Sequence, residues 1–425
     1  MKAQRTLPPS AAPIGWRDLI QGLVGLLRPQ TTIRQLEAEF REYFGVKHVW
    51  FVSSGKGALS IILQALHGLS GRQKVVVPGY TCFSVPSAVV RAQLLVALCD
   101  VDPLSFDFDF DQLTQMTDST VLCVLATHLL GIGVDVPRIV KLCRQRGIFV
   151  VEDVAQAFGG DREGRPFGTM GDVSFLSFGR GKNITCGSGG AILSNDDRIG
   201  EAITREYAQL SKEPALGMVK NWLEVAATQL LVKPSCYWLP AGLPFLKLGE
   251  TKFYTDFSVT RMDSVRAGLL RGWKERLAHA TASRVAHAEQ VLRSLSASPA
   301  QTIRPSGRGH SVYLRLPLLM RSKQEKEALC RASVEQGLGV SSMYPSSVQY
   351  IAELRETFSS QDVPQAARIA ERLVTLPTHE LLSARDLARI CHAVQDMQRV
   401  EGAGSTCSSD VREQRHSNSK LPRVN

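Results

Sequence analysis

The sequence predicts an α/β fold: a large domain on a mostly parallel mixed sheet covered by helices, then a smaller C-terminal α+β domain. Three observations lead there. From His48 to Glu152, short apolar runs alternate with helix-patterned stretches, β then α. Those runs are apolar at nearly every position rather than every second one, as in strands buried on both faces. Beyond residue 250, a long helical pattern gives way to shorter strands and helices in mixed order.

Residues 1–30 form an N-terminal extension, in which Trp16 to Leu27 predicts one amphipathic helix ended by Arg28-Pro29. Ile33, Leu36, Phe40 and Phe44 repeat at helical spacing, and Gly45 stops that helix. The first strand, His48 to Val52, runs into Ser53-Ser54-Gly55-Lys56-Gly57 and then a helix. Strand, small-residue turn and helix start together suit an anion, held by backbone N–H groups and the helix dipole. Lys56 adds an ammonium there. Further strands follow at Lys74 to Pro78, Leu94 to Asp100, Thr120 to Thr127 and Ile148 to Glu152. Ligands of such sheets bind at the carboxyl ends of the strands, where Ser54, Tyr80, His128 and Asp153 stand. A glycine-punctuated hairpin and the apolar run Val173 to Phe178 then lead to Lys182, set among Gly179, Gly181 and Asn183. The stretch 222–248 is an apolar insert broken by Pro234, Pro240 and Pro244. It suits a subunit or domain interface, or shallow docking on a membrane surface. Arg261 to about Leu295 reads as one long linking helix, and His310 to Pro317 as a strand. The large domain thus covers 31–250, the smaller one 251–400, and 401–425 reads as a disordered polar tail.

Composition narrows the function. The 425 residues carry a net charge of +10, which favours anionic partners. The basic residues are scattered rather than clustered with aromatics, so no nucleic-acid partner is expected. Nine cysteines lack CxxC spacing and lie mostly in apolar runs. They read as reduced thiols of a cytoplasmic protein, with no disulfide framework and no metal site. The N-terminus lacks the apolar run of a signal peptide, and no uninterrupted apolar stretch is long enough to span a bilayer.

Taken singly, Asp153 is as well explained as a helix cap, Gln156 as a solvated amide and Lys182 as a surface lysine. Together in one chain they describe a site for pyridoxal phosphate (PLP). A lysine that forms a Schiff base needs a carbonyl cofactor and a proton it can lose. A buried carboxylate such as Asp153 keeps the pyridine nitrogen protonated, which makes the ring an electron sink. The Gln156 amide suits the ring hydroxyl, and Gly55, Lys56 and Ser177 suit the phosphate.

The chain resembles the DegT-type (DegT/DnrJ/StrS) sugar aminotransferases, PLP-dependent enzymes of fold type I. The resemblance is carried by SSGKGALSIILQAL, VVVPGYTCFSVPSAVV with CDVDP after it, THLLGIGVDV, VEDVAQAFGG, GRPFGTMGDVSFLSFGRGKNITCGSGGAILSND, SMYP and LVTLPTH, in order over about residues 33–395. It implies Lys182 as the Schiff-base lysine and proton shuttle, Asp153 at the pyridine nitrogen and Gln156 at the ring oxygen. It implies Gly55, Lys56 and Ser177 at the phosphate, and Cys82 and Phe83 against the ring face. His128, Tyr344 and Gln349 become candidate substrate contacts. A homodimer, a glutamate donor and a nucleotide-linked keto sugar used in surface polysaccharide or glycoconjugate synthesis are implied as well. The chain departs from the family pattern at Lys56, Cys82, Val259, Gln349 and the FGRGK loop. Val259 and Gln349 motivate the alternative of a PLP-binding regulatory or scaffold protein without turnover.

Overall fold

The structure, a computed structural model, describes residues 4–243, 251–296, 298–359 and 361–406, with backbone alone from 398 onward. Five strands enter first: β1 His48–Val52, β2 Lys74–Pro78, β3 Leu95–Cys99, β4 Val121–Thr127 and β5 Phe149–Asp153. The short strands β6 Asp161–Arg162 and β7 Arg165–Pro166 pair as the expected hairpin. β8 Val173–Ser177 and β9 Gly190–Ser194 complete a seven-stranded sheet of order β1-β9-β8-β5-β4-β2-β3. β9 runs antiparallel to both its neighbours, and the other pairings are parallel. Every residue of β4 is buried, as its uninterrupted apolar run requires of a central strand covered on both faces. Asp153 closes the middle strand β5, in register with Thr127 on one side and Phe175 on the other.

The N-terminal extension is built into this body. Helix α1, Trp16–Leu27, ends where expected, and Pro29 opens α2, Pro29–Phe44, as a proline at a first helical position does. α1 crosses the helix Ser264–Leu269 so closely that a Cβ on Gly25 would lie 2.1 Å from the Ser264 carbonyl oxygen. Leu36 and Phe40 of α2 share a core with Val265, Leu269 and Trp273. The long helix expected from Arg261 is two helices, Ser264–Leu269 and Trp273–Ser294. Gly272 separates them at φ 68°, a left-handed turn that the apolar periodicity does not reveal.

The C-terminal part has its own sheet of β10 Gln301–Thr302, β12 Leu316–Leu319 and β13 Leu373–Leu376, while β11 Gly309–His310 pairs with β6. The strand expected over His310 to Pro317 is interrupted because Tyr313 adopts φ 49°. Leu7 of the N-terminal segment is packed into the core of this part, with Leu316, Leu376 and Ile390. The final helix, Ala384–Thr406, takes in residues 401–406 of the expected tail, and 407–425 lie outside the described residues. The apolar insert forms the helices Ala215–Leu231 and Trp238–Ala241, and its end, 244–248, also lies outside them. Among the described residues no helix is long and apolar enough to cross a membrane.

Candidate active site

The turn after β1 forms an anion cradle. Ser54 caps helix α3, Gly55–Ser70, and its Oγ accepts the Gly57 N–H at 3.1 Å. The N–H groups of a helix's first turn have no carbonyl of their own helix to bond, so this end of α3 is an electropositive backbone site. Ser177, at the end of β8, lies against it: a Cβ on Gly55 would fall 2.8 Å from the Ser177 Cβ. Only glycine leaves this gap open. Lys56 does not extend into the cradle as expected. Its Nζ sits 3.6 Å from the Tyr254 ring centroid and 4.3 Å from that of Phe257, a cation–π clamp that holds the ammonium to one side. Val259 closes over Gly57, whose Cβ would come within 3.0 Å of a Val259 methyl.

Lys182 stands in the loop between β8 and β9, and both its neighbours are tied down. The Gly181 carbonyl accepts from Ser10 Oγ at 2.8 Å. Asn183 is buried, donating to the Phe158 carbonyl at 2.8 Å and accepting from Arg284 Nε at 2.8 Å. Arg284, itself 1% exposed, also donates to the carbonyls of Leu314 and Ala11. It therefore ties the Lys182 loop to the N-terminal segment and to the C-terminal part. Burial pulls the Lys182 amine below the usual lysine range, Cys82 and Asp153 oppose this, and Arg315 adds to it.

Asp153 interacts electrostatically with that amine. Burial pushes its carboxyl up, while the Ala155 N–H, which donates to Oδ1 at 2.9 Å, and Lys182 draw it down. The neighbouring Glu152 is fully buried and accepts from the N–H groups of Gly168, Met170 and Gly171 and from His128 Nε2. Burial alone would raise the Glu152 carboxyl, but His128 and these N–H groups hold it below the usual range. His128 Nδ1 accepts the Val134 N–H at 3.2 Å, which puts the ring proton on Nε2, toward Glu152. The ring is 0% exposed and stacks on Phe167. The substrate contact expected of His128 is thus corrected: both nitrogens are occupied, and the ring braces the strand beneath Asp153.

Gln156 accepts the Leu130 N–H at 3.0 Å and donates to the Tyr344 hydroxyl at 2.7 Å. Tyr344 is 4% exposed, stands beside Tyr80 and acts electrostatically with Cys82 and Asp153, so it belongs to the constellation. The loop after β2 presents Cys82 to Lys182, whereas Phe83 turns into the core at 6% exposure. The ring-face role expected of Phe83 is thus corrected, because its side chain belongs to the core. Gln349 lies on a short turn, where its Oε1 accepts the Val363 N–H at 3.3 Å. The sequence reading missed Arg315 and Arg284, and took Asn183 only as a small neighbour of Lys182. An arginine inside the apolar run ahead of β12 was the one signal available for Arg315.

These residues fit a phosphate-bearing aldehyde cofactor. The cradle is kept open by Gly55, the amine has lowered basicity, and a buried carboxylate and a buried amide accompany them. With such a group bound, α3 and Ser177 would hold the phosphate, Asp153 the proton on the ring nitrogen, and Gln156 the ring oxygen. Lys182 would accept and return the proton at the reacting carbon. The cofactor itself supplies the electron sink.

The chain is similar to the GDP-perosamine synthase of Vibrio cholerae, 33% identical over 167 residues, 39% of this chain and 45% of that protein. The matched stretch thus spans about half the length of such curated relatives. Among solved structures it is similar to the aminotransferase TlmJ from Streptoalloteichus hindustanus (TM-score 0.74, 22% identity, 93% of this chain and 99% of that one). It also resembles Helicobacter pylori PseC, an aminotransferase of pseudoaminic acid biosynthesis (TM-score 0.75, 16% identity, 93% and 100%). A family model matches residues 25–395, nearly the whole described fold, and the chain belongs to the DegT/DnrJ/EryC1/StrS aminotransferase family.

Proposed function

We propose that this protein is a PLP-dependent aminotransferase that passes an amino group from glutamate to a nucleotide-linked keto sugar, serving surface polysaccharide or glycoconjugate synthesis. The observation that carries the reading is the Lys182 amine, lowered in basicity by burial and acting electrostatically with buried Asp153, beside the anion cradle that Gly55 keeps open. Lysine chemistry of this kind needs an amine that sheds its proton and a fixed carboxylate opposite it. The test is a half-reaction on protein purified with PLP. Glutamate should yield 2-oxoglutarate, a nucleotide keto sugar should then take up the amine, and Lys182→Ala should do neither. Bound PLP with no release of 2-oxoglutarate would instead favour a regulatory protein.

The reading includes a homodimer in the cytoplasm. Trp16, Ile20, Leu23 and Leu27 lie exposed along one face of α1, spacing that supports a covered helix surface. Leu223, Leu230 and Leu239 are exposed in the insert and support the competing use, peripheral membrane contact through 222–248. Sedimentation equilibrium and co-sedimentation with anionic vesicles separate the two.

A further inference from the structure

A cavity of ≈ 330 Å³ opens beside the Lys182 loop. Ser10 and Ala12 of the N-terminal segment, Gly181 of the loop, and Val225 and Tyr237 of the insert form its walls, and Arg315 borders it. Arg315 is half-buried, and its charge acts on Lys182. Its Nη1 donates to Ser341 Oγ at 3.0 Å, and Tyr344 and Tyr237 are its electrostatic neighbours. Among the described residues no carboxylate pairs with it. Arg284 makes the contrast: more deeply buried, it is satisfied by Asn183 Oδ1, Thr378 Oγ1 and the carbonyls of Leu314 and Ala11. A guanidinium offers five N–H donors, and burying its charge without an anion is costly. Arg284 is therefore a structural tie, whereas Arg315 has capacity left for a ligand.

We propose that Arg315 anchors a carboxylate of the amino donor, with the donor's aliphatic part lying in this cavity. The proposal rests on the aminotransferase reading and names the residue that selects the donor. A planar guanidinium suits a carboxylate through two parallel N–H···O bonds. The volume lies at the small end of ligand sites, about 300–1,000 Å³, which suits an amino acid better than a nucleotide-linked sugar. The walls are largely small and aliphatic, and the other guanidinium there, Arg180, is paired with Glu224.

The test uses the holoenzyme and two readouts. One is calorimetric binding of succinate, a dicarboxylate without an amine. The other is the pair of half-reactions, glutamate as donor and nucleotide keto sugar as acceptor. Arg315→Gln should weaken succinate at least tenfold and raise the KM for glutamate, with a much smaller change in the KM for the nucleotide keto sugar. Arg315→Lys should restore part of the loss. In wild type, succinate should compete with glutamate and not with the nucleotide sugar, a measurement that holds even if the variants fold poorly. Unchanged succinate affinity in folded Arg315→Gln, or succinate competing only with the nucleotide sugar, overturns the proposal. A loss confined to the acceptor half-reaction also overturns it and makes a phosphate the anion. If wild type binds succinate through Arg315 but transfers no amino group, the aminotransferase reading fails and the anion site stands.

Discussion

The Gln156 amide donates to the Tyr344 hydroxyl at 2.7 Å, joining two residues 188 positions apart. Tyr344 adopts φ 48°, a conformation a bulky residue keeps only when its surroundings hold it there. Tyr344→Phe deletes the acceptor and strands a buried amide hydrogen, at a cost of about 1 kcal/mol. Gln156→Ala should cost more, since it also frees the Leu130 N–H. Urea unfolding of the two single variants and the double variant should return a non-zero coupling energy. Strict additivity would mean the bond contributes nothing.

Lys182 ties stability to alkaline pH. In the fold its amine titrates below 10.5, its ordinary value. Between the two values the unfolded chain holds a proton that the folded chain has lost, so stability rises with pH there. Cofactor-free wild type should therefore gain on Lys182→Met as pH climbs toward 10.5, then level off. Unfolding midpoints across a pH series measure this. A constant difference would show an amine of ordinary basicity.

Glu152 acts at the acid end. Its carboxyl titrates below 4.5 in the fold, so its contribution is complete above that value and is lost as pH falls through the folded one. Glu152→Gln places an amide among groups that all donate, and each buried donor left unsatisfied costs about 1–3 kcal/mol. The variant should be much the weaker protein near neutrality, with the gap closing toward acid. Parallel curves would mean that Glu152 carries no charge when folded.

At the cradle, Gly55→Ala drives a methyl to within 2.8 Å of the Ser177 Cβ. Overpacking of this kind costs about 1–3 kcal/mol and should loosen PLP binding. Adding Ser177→Gly should recover the melting temperature but not the affinity, because the hydroxyl is then missing. Full recovery of both would remove Ser177 from the phosphate site.

What the sequence revealed of the site followed from local rules. Strand ends of a parallel sheet converge, so Asp153, Ser54 and the Lys182 loop were legible from β/α alternation. Orientation was not. Whether Cys82 or Phe83 faces the amine depends on how the loop after β2 turns, and whether Lys56 reaches the phosphate depends on Tyr254 and Phe257, about two hundred residues away. His128 was correctly placed at a strand end and wrongly assigned to substrate, because Glu152 claims its proton from within the sheet. Arg315 and Arg284 escaped notice because their partners are set by the docking of distant segments, which periodicity does not encode.

The segment from Arg5 to Ala11 adds a matter of timing. Arg5 pairs with Asp386, the Pro8 carbonyl with His379 and the Ala11 carbonyl with Arg284, across 381, 371 and 273 positions of sequence. During synthesis this segment leaves the ribosome long before any of those partners. It cannot make these contacts until the partners are synthesised. The cavity that Ser10 helps to wall is therefore completed only once residues beyond 370 have been made.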